Sequence, residues 1–157
     1  MRIGMKDSAF LPSRGGENET APAPEPPASA RDPIRILVVD DHDLVREGLV
    51  GLLDHAPDIE VVGAAGDGLT AVLLARDLLP DVVVMDVSMP GMDGIEATRR
   101  ITADCPDTRV VGLSMHEEEG VARRMREAGA AAYVTKGGPA RDLLAAVRGA
   151  AERDGTP

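Results

Sequence analysis

The stretch "ILVVDDHDLV", residues 36–45, sets four apolar residues directly before three carboxylates in the next four positions. The apolar run is short and unbroken, as in a strand covered on both faces. Asp40, Asp41 and Asp43 repel one another, more so where the effective dielectric is low, so water or a cation must screen them. Four further runs share the character of the first: "IEVVGA" (59–64), "DVVVMD" (81–86), "TRVVGLS" (108–114) and "AAYVT" (131–135). With "IRILVV" (34–39) they make five expected strands.

Segments with helical spacing lie between and after these runs. The spacing puts Val45, Leu49, Leu52 and Leu53 on one face, and Leu69, Val72, Leu73 and Leu79 on another. Ile95, Thr98 and Ile101 form a third set, Val121, Met125 and Ala128 a fourth, and Leu143, Val147, Ala150 and Ala151 a fifth. Asp93 with Glu96 suits a capping box, Gly129 a helix end, Pro139 a first helical turn, and Asp43 a carboxylate cap. Five strands alternating with five helices imply an α/β fold with a parallel sheet and helices on both faces.

Residues 1–33 hold six of the twelve prolines and are expected to form a disordered tail; residues 153–157 read as a second, short tail. The chain carries a net charge of −10, and residues 34–157 carry −9 of it. Such an acidic body argues against affinity for nucleic acid or anionic membrane, since neutralising phosphates takes Lys and Arg. Phe10 and Tyr133 are the only aromatics, so no base-stacking platform exists. A single cysteine, Cys105, excludes an internal disulfide, and no apolar run reaches the length of a membrane span. With no secretory signal at the N-terminus, the expected location is cytoplasmic.

In open α/β sheets, ligand sites gather beyond the C-terminal ends of strands where the strand order reverses. Asp40 and Asp41 end the first strand and Asp86 ends the third. In the order 2-1-3-4-5 those strands are neighbours, and the three carboxylates meet at one mouth. An oxygen-rich pocket of that kind suits Mg²⁺, a hard ion that binds a few carboxylates and keeps several waters.

"VVDDH" (38–42), "DVSMPGMDG" (86–94), "LSMH" (113–116) and "YVTKGG" (133–138) stand in one order and spacing. In these motifs the chain resembles the receiver domain of bacterial two-component response regulators, over about residues 34–152. "MPGMDG" and "LSMH" look most like the NarL/FixJ-type branch, whose receivers precede a helix-turn-helix DNA-binding domain. The resemblance implies a flavodoxin-like, CheY-like doubly wound sheet of order 2-1-3-4-5.

It also implies roles. Asp86 would be the phospho-acceptor, a carboxylate nucleophile forming an acyl phosphate. Asp41 and Asp86 would bind Mg²⁺ directly and Asp40 through water, with the Ser88 backbone carbonyl completing the protein ligands. Lys136 and Ser114 would each meet a phosphoryl oxygen. Ser114 moving toward the phosphoryl group would let Tyr133 rotate inward, switching the face of the fourth helix, fifth strand and fifth helix. The implied partners are a sensor histidine kinase or phosphotransfer protein, and a downstream protein target or a second copy docking on that face.

Singly, each residue has a plainer reading: a solvated lysine, a serine cap, a half-buried packing tyrosine. Their joint register carries the functional one. The chain has no room for a DNA-binding domain after its last expected helix, so direct nucleic-acid binding is not expected. A single-domain relay, a truncated transcription regulator and an interaction-only receiver stay open. A multiple-turnover phosphohydrolase fits less well. "GAAGDG" (63–68) lacks dinucleotide-loop spacing, "KGGP" (136–139) is no phosphate-binding loop, and His42, His55 and His116 show no ligand spacing with Cys105.

Overall fold

The computed structural model describes residues 32–115 and 119–152. The chain divides into two units, Met1–Arg31 and Asp32–Pro157, and the described residues belong to the second. The expected tails (all but residues 32 and 33 of the first), His116 and the side chain of Glu119 therefore lie outside the description.

Ten elements alternate: β1 (Ile34–Val39), α1 (Asp43–His55), β2 (Ile59–Ala65), α2 (Gly68–Leu78), β3 (Val82–Asp86), α3 (Gly94–Asp104), β4 (Arg109–Ser114), α4 (Glu119–Glu127), β5 (Ala132–Thr135) and α5 (Ala140–Glu152). All strand pairs are parallel, in the order β2-β1-β3-β4-β5. Each expected strand forms within one residue of its expected bounds. The order reverses between β1 and β3, and the ends of those strands carry the acidic residues.

Two apolar clusters sandwich the sheet. Leu37, Val39, Val83, Met85 and Val110 face one way, toward Val72, Ile101 and Met125. Ile36, Val38, Val82, Val84, Val111 and Leu113 face the other, toward Leu53, Leu143 and Val147. Alternate residues of each strand thus serve opposite layers, which is why the central positions of β1, β3 and β4 are apolar in succession. At about 25 cal/mol per Å² of apolar surface, this burial is the main force holding the fold.

One helical face differs from the expected one. On α2 the buried residues are Gly68, Ala71, Val72 and Ala75, while Leu69 is 54% exposed, and Leu73 and Leu79 are exposed too. Small residues win the inner position because α2 also packs closely on α3, and leucines would hold the two apart. Leu79 lies beyond the helix as its C-cap, at φ 48°. Its carbonyl and that of Leu78 accept from Arg35 Nη1 at 3.0 and 2.9 Å. On α1, Val45 is likewise exposed, and Leu53 alone is fully buried.

The caps divide in the same way. Asp93 accepts from Glu96 N at 2.9 Å, but the Glu96 carboxylate turns to Arg99 and Arg100, so half of the capping box forms. Asp43 does not cap α1. His42 is the N-cap residue and Asp43 the first helical one, and the Asp43 carboxylate meets Arg46 at 2.7 Å instead. Gly129 takes φ 112° after α4, a conformation that favours glycine. Two fastenings complete the frame: Arg148 of α5 pairs with Asp58 in two hydrogen bonds of 2.8 and 2.9 Å, and β2 carries one extra residue, Val62, where its register with β1 shifts.

Candidate functional site at the sheet's C-terminal edge

The backbone zips the ends of three strands together. Val87 N donates to Leu113 O at 3.0 Å, and Lys136 N to Ser114 O at 2.7 Å. Asp86 pairs across with Leu113, and Ser114 with Thr135. Asp86, Ser114 and Lys136 consequently sit at adjacent strand ends, each one residue further along than the one before.

Gly94 fixes the outer side of β3. Its N–H donates to Val87 O at 2.8 Å, and a Cβ there would stand 2.1 Å from the Asp86 carbonyl oxygen. Only glycine lets α3 press its first turn against the end of β3. Gly91, after Pro90, takes φ 74° and turns the chain back toward that helix.

Within this frame, Asp40 is fully buried and Asp86 is 2% exposed. Asp40 Oδ1 accepts from His42 N at 2.9 Å, and Asp86 Oδ1 from Ser88 N at 3.3 Å. The Lys136 side chain is 8% exposed, and its ammonium stands 2.7 Å from Asp40 Oδ2 and 3.3 Å from Asp86 Oδ1. Asp41 Oδ1 and Asp86 Oδ2 are buried without a hydrogen-bond partner. Three carboxylates against one ammonium leave two negative charges uncompensated when all are ionised, an arrangement costly without a counter-ion. Desolvation, followed by the charge of Asp40, pushes the Asp86 carboxyl up to about 6. For Lys136, burial pulls downward, but the hydrogen bond to Asp40 and the charges of Asp86 and Asp40 outweigh it and hold the ammonium above its ordinary value.

Oxygen atoms of Asp40, Asp41 and Asp86, together with a ring nitrogen of His42, lie within 4.8 Å of one another. Orphaned, mutually repelling carboxylate oxygens are what a divalent cation relieves, so the three aspartates fit Mg²⁺. Ser88 follows Asp86 closely enough to donate its N–H to that carboxylate. Tyr133 lies opposite Gly112 on the neighbouring strand, its Cδ1 3.3 Å from where a Gly112 Cβ would be. Sequence reasoning missed His42's place in the cluster, the Lys136–Asp40 pairing and the Gly94 contact. Of these, only the glycine left a signal, an Asp-Gly pair at a helix start.

A model of the response regulator receiver domain matches residues 36–148. The chain belongs to that family. Response regulator GacA of Pseudomonas viridiflava is 47% identical over 115 residues, 73% of this chain and 54% of the relative. Transcriptional regulatory protein LiaR of Bacillus subtilis is 43% identical over 119 residues, 76% of this chain and 56% of the relative. This receiver thus spans about half the length of these curated relatives. Among solved structures, a LuxR-family two-component response regulator from Aurantimonas superposes with a TM-score of 0.73 at 40% identity, covering 76% of this chain and 86% of that one. The receiver's expected topology and its branch of the family are both borne out. Among the described residues, no helix is long and apolar enough to cross a membrane.

Proposed function

We propose that residues 34–152 form a Mg²⁺-dependent phospho-accepting receiver in a cytoplasmic two-component pathway, with Asp86 as the acceptor. The observation that carries this reading is the buried Asp86 carboxylate between the Lys136 ammonium and the unpartnered oxygens of the acidic mouth. Asp41, Asp86, Asp40 through water and the Ser88 carbonyl would hold the ion, which supplies charge neutralisation for the transferring group.

An Asp86 oxygen attacks the phosphorus of a kinase phosphohistidine. The O–P bond forms as the P–N bond breaks, and the electron pair returns to the donor's imidazole, leaving an acyl phosphate. Lys136 and Ser114 each meet a phosphoryl oxygen, so the chain contributes position and charge, as this chemistry requires. The protein turns over once per phosphoryl group received rather than as a multiple-turnover enzyme. Output follows from Ser114 and Tyr133 changing the α4–β5–α5 face toward a protein target or a second copy. The relatives' names support transcription regulation as the process served.

The test is intact mass after incubation with Mg²⁺ and acetyl phosphate. A gain of one phosphoryl group, removed by hydroxylamine and absent from Asp86→Ala, is expected. No gain, with Mg²⁺ binding intact, would favour an interaction-only receiver.

A further inference from the structure

His42 is 69% exposed at the rim of the mouth, yet its ring is turned over the carboxylates. Nδ1 stands 3.3 Å from Asp41 Oδ1 and 3.5 Å from Asp40 Oδ1. The nearer approach is an ion-pair distance when the ring is protonated. His42 occupies the N-cap of α1 in extended conformation (φ −94°, ψ 115°) and its side chain caps nothing, so helix capping does not explain the ring's position. Two ligand atoms each about 2.1 Å from one ion are about 3.0 Å apart at right angles and about 3.4 Å apart in a tetrahedron. The 3.3 Å between the ring nitrogen and Asp41 Oδ1 falls within that range. A second observation points to the same place: Asp86 Oδ2, in a residue 2% exposed, is also without a partner.

We propose that His42 is an additional metal ligand, giving this mouth an O,O,O,N donor set that takes imidazole-accepting divalent ions such as Ni²⁺ or Zn²⁺ as well as Mg²⁺. This rests on the metal-binding reading above and goes beyond it in naming a ligand and an ion class. Mg²⁺ is served by oxygen donors alone, whereas imidazole favours later transition ions. The ring therefore separates the two classes. A histidine that merely paired its charge with Asp40 and Asp41 would oppose every cation alike, and its removal would strengthen Mg²⁺ and Ni²⁺ binding together.

Calorimetric titration of the untagged full chain and of His42→Ala with Mg²⁺ and with Ni²⁺ distinguishes these. In the wild type, Ni²⁺ and Mg²⁺ are expected to compete for one site. His42→Ala is expected to weaken Ni²⁺ at least about tenfold, as for loss of a supporting residue or worse, while Mg²⁺ changes less than about twofold. The retained Mg²⁺ affinity also shows that the variant is folded. Ni²⁺ affinity unchanged in the variant, affinities for both ions shifting together, or Ni²⁺ binding that Mg²⁺ does not displace would overturn the proposal with the Mg²⁺ site standing. A wild-type chain that binds no Mg²⁺ would overturn the underlying reading and this one with it.

Discussion

Lys136 is held more closely by Asp40 than by Asp86: its ammonium is 2.7 Å from an Asp40 oxygen and 3.3 Å from an Asp86 oxygen. The lysine is thus anchored at the end of β1. Lys136→Met would leave three carboxylates with no internal counter-charge. Breaking a buried pair of this kind costs about 3–5 kcal/mol. Urea unfolding in EDTA should show a loss of that order, and saturating Mg²⁺ should recover much of it. An unchanged midpoint in EDTA would mean that the pairing is not maintained in solution.

The raised Asp86 carboxyl makes metal-free stability depend on pH in a defined direction. Its folded value of about 6 exceeds the unfolded 3.8, so the folded state binds the extra proton between those values. Stability in EDTA should therefore rise as pH falls from 7 through 6 toward 5, by about 1.3 kcal/mol over that interval, the full effect of such a shift, about 3 kcal/mol, being reached only below the unfolded value. The paired carboxyls of Asp58, Asp67 and Glu96 lie below their ordinary values, and their contribution is lost only at lower pH. Denaturation midpoints at pH 7 and pH 5 test this, with the trend expected to flatten in Asp86→Ala and under saturating Mg²⁺.

Gly94→Ala should harm the site without touching a charged group. The added methyl would meet the Asp86 carbonyl oxygen, a backbone atom that cannot turn aside. Overpacking costs about 1–3 kcal/mol, and the strand end must shift to relieve it. Slower acetyl-phosphate labelling together with a lower melting temperature is expected; wild-type labelling would show that α3 can retreat freely.

Gly112 leaves the space that Tyr133 and Met125 share. A Cβ there would lie 2.7 Å from Met125 Cε and 3.3 Å from Tyr133 Cδ1. The methionine end is flexible, so Gly112→Ala should cost only about 1 kcal/mol. The ring has less room to turn. Beryllofluoride should change Tyr133 fluorescence in the wild type and change it much less in the variant. An equal response in both would place the switching motion elsewhere.

The sheet was legible in the sequence because two-sided burial leaves unbroken apolar runs rich in β-branched residues, whereas the apolar runs inside α2 (71–75) and α5 (143–147) are built mainly of leucine and alanine. The meeting of Asp40, Asp41 and Asp86 followed from strand order once the reversal point was known. Helical period was a weaker guide. It groups Leu69 with Leu73, but cannot tell which side of α2 is inward when the inner side is built of Ala71 and Ala75. The partner of Lys136 was out of reach for another reason: register brings it to the mouth, and the choice between two carboxylates a few ångströms apart depends on side-chain geometry. His42 had no signal at all, since a lone histidine after two aspartates is ordinary surface chemistry.

The extra residue at Val62 bears on how this molecule can be recognised. It bends one margin of the sheet, and the opposite margin, β5, is four residues long. A bent margin and a short one offer no long flat row of backbone donors and acceptors, the template on which a foreign strand would align. Strand-to-strand annealing, productive or aggregating, is disfavoured on both sides, and recognition is left to the surfaces of helices and connecting loops.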